Sequence, residues 1–314
     1  MSILLNELLS DLKLESIGFS YPYISSIKYS NVATKTDIAI ARNKGEIHST
    51  DSQVVLVRDG IYLTKKTVIL CKDDLFSEAI RIARYLIEKN VVEDYSKPVD
   101  YEKSDSASYY KGRNCIINND SAISSNVFIG NNVYIGKNVI IEPNVVIGSG
   151  TTIGDNCVIR AGAIIGVSPY CHYRNADKKL NYFSGIGTVI LGSNVLVGAN
   201  SVIERGTFSN TVISNNVLIG HQVCIGHDDV ISSNTRIVSQ SGVAGNVAIG
   251  ENVDIWGQSG IADGLKIEDD VSILAKSRIT KNIKKGSTIS GLYSLDHKLE
   301  LKNQFLLRKL RKVY

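Results

Sequence analysis

Over 115–279 aliphatic residues recur at every sixth position. Ile117, Ile123, Ile129, Ile135, Ile141, Ile147, Ile153, Ile159 and Ile165 hold one register. After an interruption it returns at Leu191, Val197 and Ile203, and after a second, shorter one it runs from Ile213 through Ile225, Val243 and Ile261 to Ile279. A period of six fits neither an amphipathic helix nor the alternation of a half-buried strand. It fits a parallel β-helix, in which each hexad supplies one short strand, its aliphatic residue pointing inward, and one corner. Asn stands three places after the aliphatic residue, as at Asn126, Asn132, Asn138, Asn194, Asn216 and Asn246. Gly often follows it directly, as at Gly130, Gly148, Gly220 and Gly226. Both residue types tolerate the left-handed backbone of a tight corner.

The two interruptions must leave the solenoid as loops, because the coils above and below fix the strand positions. The longer, 167–187, contains SPYCHYRNADKKLNYFSG; the shorter is TFSN, after Glu204-Arg205-Gly206. Loops on a rigid scaffold commonly carry function, and the longer one is read that way.

Residues 1–98 show no hexads. Ile3, Leu4, Leu8 and Leu12 fall at helical spacing, 54–57 and 67–70 read as strands, and 75–89 reads as a helix with Ala79, Ile80, Ala83, Leu86 and Ile87 on one stripe. The organisation predicted is a small α/β domain over 1–98, a linker over 99–113, a solenoid over 114–290 with loop insert 167–187, and a helix over 291–314. That helix rests on Leu295, Leu299, Leu306, Leu310 and Val313.

Composition narrows the function classes. The chain is 43% hydrophobic and 21% charged, which reads as globular, and it has no uninterrupted apolar run long enough for a membrane span. The first residues are apolar but carry Glu7 and Asp11 and lack a basic lead, unlike a secretory signal. The 5 cysteines are scattered without a Cys-x-x-Cys pair, which favours reduced thiols in the cytoplasm over disulfides or a metal site. The net charge of +4 resides in 294–314, where six basic residues outnumber two acidic ones. The body is therefore balanced, no nucleic-acid surface is expected, and the tail suits an acidic partner.

Similarity to known hexapeptide-repeat proteins implies that three hexads close a triangle wound left-handedly, although the usual crossover rule alone gives the opposite hand. The fold class expected is mainly β: a left-handed parallel β-helix of eight coils, with the small α/β domain before it and the helix after it. Residues 18 apart then stack in adjacent coils. His221 and His227 lie one hexad apart in VLIGHQVCIGHDD; His227 follows Ile225 by two, near a corner, and Gly245 lies one coil further on. An imidazole beside a backbone N–H suits acyl transfer. Histidine can take a proton from an attacking amine, and the amide can stabilise the oxyanion. Two solvated histidines on a polar corner fit the same residues.

The block from Gly187 through Ile231, GTVILGSNVLVGANSVIERGTFSNTVISNNVLIGHQVCIGHDDVI, resembles UDP-3-O-acylglucosamine N-acyltransferases of lipid A synthesis. Glu204-Arg205-Gly206 stands where that family has Asp-Arg-Gly, and the segment His221–His227 stands where it has Asn-x-x-x-Ile-Ala-His. The resemblance implies His227 as general base and Gly245 as oxyanion donor, with His221, Glu204, Arg205 and Trp256 on the substrate. It also implies a homotrimer with sites between subunits, a nucleotide-linked amino sugar as acceptor, and an acyl thioester of acyl carrier protein or CoA as donor. No permanent cofactor and no metal is implied. Ile40 and Glu46 stand where the family stacks its uracil, and Gly264 stands where it has a second histidine. Trp256, the only tryptophan, replaces a small residue beside the acyl channel, where it either shortens that channel or serves ordinary packing between trimer subunits. Two alternatives remain: a non-catalytic scaffold, and a hexapeptide carbonic anhydrase, whose metal would need about three ligands drawn from His221, His227 and His172.

Overall fold

The computed structural model describes all residues except 19–21, 59–64, 72–73, 105–107, 175–176, 291–301, 304, 307–308 and 310–314. The hexads wind into three sheets of eight, nine and ten strands, parallel apart from the strand Glu102–Lys103 at one edge. Every aliphatic position named above lies in a strand and stacks on its counterpart one coil away. Ile117 pairs with Ile135 and that with Ile153, while Ile225, Val243, Ile261 and Ile279 form another column. From Ile129 onward these side chains are buried; Ile117 and Ile123, at the open end, are only partly so. Each fully buried Ile is worth about 1.5–3 kcal/mol over an exposed one, so the column is the main stabilising element.

Corner chemistry follows the sequence. Asn126, Asn132, Asn138, Asn144, Asn156, Asn194, Asn200, Asn216, Asn234, Asn246 and Asn252 all have φ between 53° and 62°. Their amides bond along the corner, as from Asn126 Nδ2 to Asn144 Oδ1 at 2.7 Å. Gln222, Gln240 and Gln258 do the same. A second regularity lies four residues after the aliphatic position, where the chain turns inward again. A hydroxyl there both donates and accepts between coils. Ser121 Oγ donates to the Gly136 carbonyl at 2.8 Å and accepts from the Val139 N–H at 3.1 Å. Thr235 does likewise with Gly250 and Val253.

The N-terminal domain is a five-stranded sheet in the order Glu15–Ile17, Thr67–Cys71, Val54–Arg58, Asp37–Ile40, Ser26–Tyr29, with only the first strand antiparallel. Helix Leu75–Glu88 begins at Asp74, whose side chain accepts the Ser77 N–H at 2.7 Å, and buries Ala79, Ile80, Ile82, Ala83, Tyr85 and Leu86. The first helix is Leu5–Leu12, while Ile3–Leu4 is a strand paired with Tyr23–Ile24.

The segment 99–113 departs from the linker reading. Strand Glu102–Lys103 pairs with Tyr110–Lys111, and the latter joins the ten-stranded face by pairing with Phe128–Ile129. The Tyr110 and Phe128 rings stack with centroids 4.9 Å apart. Lys111 takes the inward register beside Ile129, and a lysine there is invisible to a search for aliphatic periodicity. The helix expected over 291–314 lies almost wholly outside the described residues; Lys302, Asn303, Phe305, Leu306 and Lys309 are helical.

Both solenoid inserts dock on the N-terminal domain. The longer carries the hairpin His172–Arg174 with Leu180–Tyr182, and buries Cys171, Phe183 and Ile186 in the N-terminal core. The shorter buries Phe208 there, against Tyr29, Phe76 and Phe183 at centroid distances of 5.6, 5.5 and 5.8 Å. Apolar inserts and N-terminal domain thus share one core, which holds that domain beside the corner that bears His227.

Candidate active site

His227 sits at a corner of the ten-stranded face, with its side chain 19% exposed. Its Nδ1 lies 2.9 Å from Asp228 Oδ2. Asp228 occupies a left-handed corner position, φ 61°, where most other coils place Asn or Gln. Its buried carboxylate also accepts three backbone N–H groups of the shorter insert: Thr207 at 2.9 Å, Phe208 at 3.2 Å and Ser209 at 2.8 Å. A carboxylate so held accepts from Nδ1–H, which leaves the Nε2 lone pair for a proton on substrate. Desolvation acts to lower the His227 pKa, but the Asp228 hydrogen bond and charge, with Glu204 and Asp263 behind them, outweigh it, and the net shift is upward.

Gly245 lies directly against the imidazole. A Cβ there would come within 2.5 Å of Cε1 and 2.6 Å of Nε2. The flanking corner amides are engaged: Asn246 N–H donates to the His227 carbonyl, and Gly264 N–H to that of Gly245. Among the described residues the Gly245 N–H itself has no acceptor.

A cleft of about 680 Å³ opens in front of these groups, between solenoid, long insert and N-terminal domain. Its lining includes His227, Asn246 and Asp263 from the solenoid, Tyr170 and His172 from the insert, and Tyr29, Arg42, Arg58 and Phe76 from the N-terminal domain. The Tyr170 and His172 rings lie 5.3 Å apart, and Arg42 stands over Tyr29 at 5.6 Å. The cleft therefore combines two cations and several rings with a base, against which the Gly245 backbone packs.

The remaining sequence candidates are distributed as follows. Glu204 is half-buried beside His227; its carboxylate accepts the Tyr170 N–H at 3.1 Å, and burial pushes its pKa up. Arg205 is buried outside the cleft, where Nε and Nη2 both donate to the Gly166 carbonyl at 3.0 and 2.8 Å and clamp the root of the long insert. His221 also lies outside the cleft, with Nδ1 accepting the Ala199 N–H at 2.8 Å as Asn131 and Asn215 do at their corners. Trp256 is 41% exposed on another corner, under the Arg236 guanidinium at 4.8 Å. Ile40 lines the cleft, whereas Glu46 lies in a helix capped by Asn43, donates its N–H to Asn43 Oδ1 at 3.0 Å and accepts the Arg42 N–H at 2.9 Å. Gly264 has φ +69° and open space around it. Among the described residues no three His, Cys, Asp or Glu side chains converge as a metal-ligand set. Sequence reasoning missed Asp228 and Asp263, although an acid directly after His227 was a usable signal.

A solenoid of this form, with an imidazole and a backbone amide at one corner, makes this a hexapeptide-repeat protein, and the family described as bacterial transferase hexapeptide (six repeats) matches residues 132–166. More particularly, part of the chain is similar to UDP-3-O-acylglucosamine N-acyltransferases. UDP-3-O-acylglucosamine N-acyltransferase 1 of Gloeobacter violaceus is 46% identical over 156 residues, covering 50% of this chain and 44% of that protein. The enzyme of Shewanella oneidensis is 39% identical over 74 residues, covering 24% and 21%. The chain thus spans less than half the length of these curated relatives. Among solved structures, the UDP-N-acetylglucosamine O-acyltransferase of Moraxella catarrhalis superposes with TM-score 0.53 at 24% identity, over 62% of this chain and 76% of that one, and shares the fold.

Proposed function

We propose that this protein is an N-acyltransferase, moving an acyl group from a thioester of acyl carrier protein or CoA to the amine of a nucleotide-linked amino sugar in lipid A or surface-polysaccharide synthesis. The observation that carries this is the His227 imidazole packed against Gly245, whose amide is unpaired among the described residues. The amine attacks the thioester carbonyl, a C–N bond forms, and Nε2 of His227 takes the amine proton. The Gly245 N–H donates to the carbonyl oxygen and stabilises the negative charge developing there. The intermediate collapses, the C–S bond breaks, and the imidazolium returns its proton to the departing thiolate. Asp228 orients the ring and stabilises its cationic form. Arg42 and Arg58 suit a diphosphate, and the rings of Tyr29, Tyr170 and His172 suit the flat faces of a base or sugar.

Trp256 lies on a different corner from His227, so it could bound the acyl chain only from a neighbouring copy. That arrangement fits a homotrimer with sites between subunits. The basic tail suits acyl carrier protein, and the free cysteines suit the cytoplasm. Among the described residues no helix is long and apolar enough to cross a membrane. Incubation with a panel of nucleotide amino sugars and acyl thioesters, followed by mass spectrometry, tests the reading. An amide product is expected from the wild type and not from His227→Ala; equal product from both would remove His227 as the base.

A further inference from the structure

Four residues after each inward aliphatic, the solenoid elsewhere places an apolar residue, Ser, Thr or Cys. After Ile225 it places Asp229, wholly shielded from solvent. One oxygen is accounted for: Oδ1 accepts the Val247 N–H at 2.7 Å, as the Ser121 and Thr235 hydroxyls accept theirs. The other, Oδ2, is buried with no hydrogen-bond partner among the described residues. An ionised carboxylate in that place would leave charge on an oxygen that nothing donates to, which is costly. A neutral carboxyl needs only an acceptor for its O–H, and the register supplies one. In four coils the hydroxyl at this position donates to the carbonyl fifteen residues further on, Ser121 to Gly136, Thr235 to Gly250, Ser241 to Trp256 and Ser259 to Leu274, whereas Thr151 and Ser277 donate to the carbonyl three residues back. The residue fifteen beyond Asp229 is Ala244, and its carbonyl receives no other hydrogen bond among the described residues.

We propose that Asp229 is held protonated, that its carboxyl O–H donates to the Ala244 carbonyl, and that it is thereby a positioning residue for the Gly245 amide. The Ala244 carbonyl and the Gly245 N–H belong to one planar trans peptide and point in opposite directions. Anchoring the carbonyl inward turns the N–H outward, towards the cleft and His227. Donation to the carbonyl also polarises the peptide and makes its N–H a stronger donor. The titratable groups facing Asp229 are Asp228, Asp263 and Cys224. Burial, with the charges of Asp228 and Asp263, raises its pKa well above the carboxylate range against the Val247 N–H donor. The catalytic half of this proposal rests on the acyl-transfer reading of Gly245; the protonation half does not.

Two measurements test it. Infrared difference spectra between wild type and Asp229→Asn near neutral pH should show a neutral carboxylic acid C=O band that the variant lacks. In kinetics, Asp229→Val places a residue that the same corner accepts one coil further on, at Val247, so the coil folds. Its kcat should drop by about tenfold or more, while the pH–rate midpoint set by His227 and Asp228 stays in place. Asp229→Asn keeps a donor and an acceptor and should recover most of what Val loses, to within about twofold of wild type. Absence of the infrared band overturns the proposal even where acyl transfer is intact, and so does wild-type kcat in Asp229→Val. A wild type that acylates no amino sugar overturns the acyl-transfer reading, while the band still decides the state of Asp229.

Discussion

The imidazole of His227 packs on the α-carbon of Gly245 in the next coil, so close that a methyl group on Gly245 would come within 2.6 Å of Nε2. Gly245→Ala must therefore move the ring or the amide. Its kcat is expected to fall by about 100-fold, the scale of losing one oxyanion donor. The thermal midpoint should change little, because neither residue belongs to the inward aliphatic column. Steady-state kinetics beside a circular-dichroism melt checks both halves.

The pH dependence follows from the raised pKa of His227. The base works in its neutral form, so kcat/KM should rise with pH, with a midpoint above that of an ordinary imidazole, roughly 6.5. Asp228→Asn removes a charge that holds the pKa up and should move the midpoint down. The stability linkage has the same origin. The folded state binds this proton more tightly than the unfolded chain, so the contribution is fully present below the ordinary imidazole value and is lost as pH rises through the folded one. A pH–rate profile of both proteins is the measurement; superimposable midpoints would exclude Asp228 as the partner.

Phe208 is 1% exposed and touches three aromatic rings where insert and N-terminal domain meet. Phe208→Ala should cost about 3–5 kcal/mol. Because the same insert holds Asp228 through three N–H groups, activity should fall along with stability. Urea unfolding and activity measured on one preparation would show the two losses together.

Trp256→Gly should lengthen the preferred acyl chain if a neighbouring copy presents this indole to the cleft. The assay is a series of thioesters of increasing chain length. An unchanged preference would leave Trp256 to packing under Arg236.

The solenoid was legible in the sequence because its period is local: each Ile and each corner Asn reports its own coil. Glu204, His227 and Gly245 could be placed by counting along that register. The role of Asp228 could not be read in the same way, because Asp and Asn tolerate the same left-handed corner, and the three donors that hold it come from an insert whose return path no period encodes. His221 and Arg205 looked like chemistry in a motif, yet each side chain bonds to the solenoid's own backbone. The cleft wall supplied by Tyr29, Arg42 and Phe76 was hidden for a related reason. Those residues meet the inserts of the solenoid through buried contacts, those of Phe183 and Phe208 among them, which are long-range in sequence.

Nearly every coil offers its neighbour the same aliphatic column and the same corner amides, so threading the chain one turn out of step would sacrifice few contacts. The two inserts remove that ambiguity. They differ in length, yet Phe183 and Phe208 must meet at a single point under the N-terminal sheet, and only one alignment of turns allows it. The N-terminal domain thus serves as a ruler for the rest of the molecule, and severing it should yield chains that are folded but miscounted.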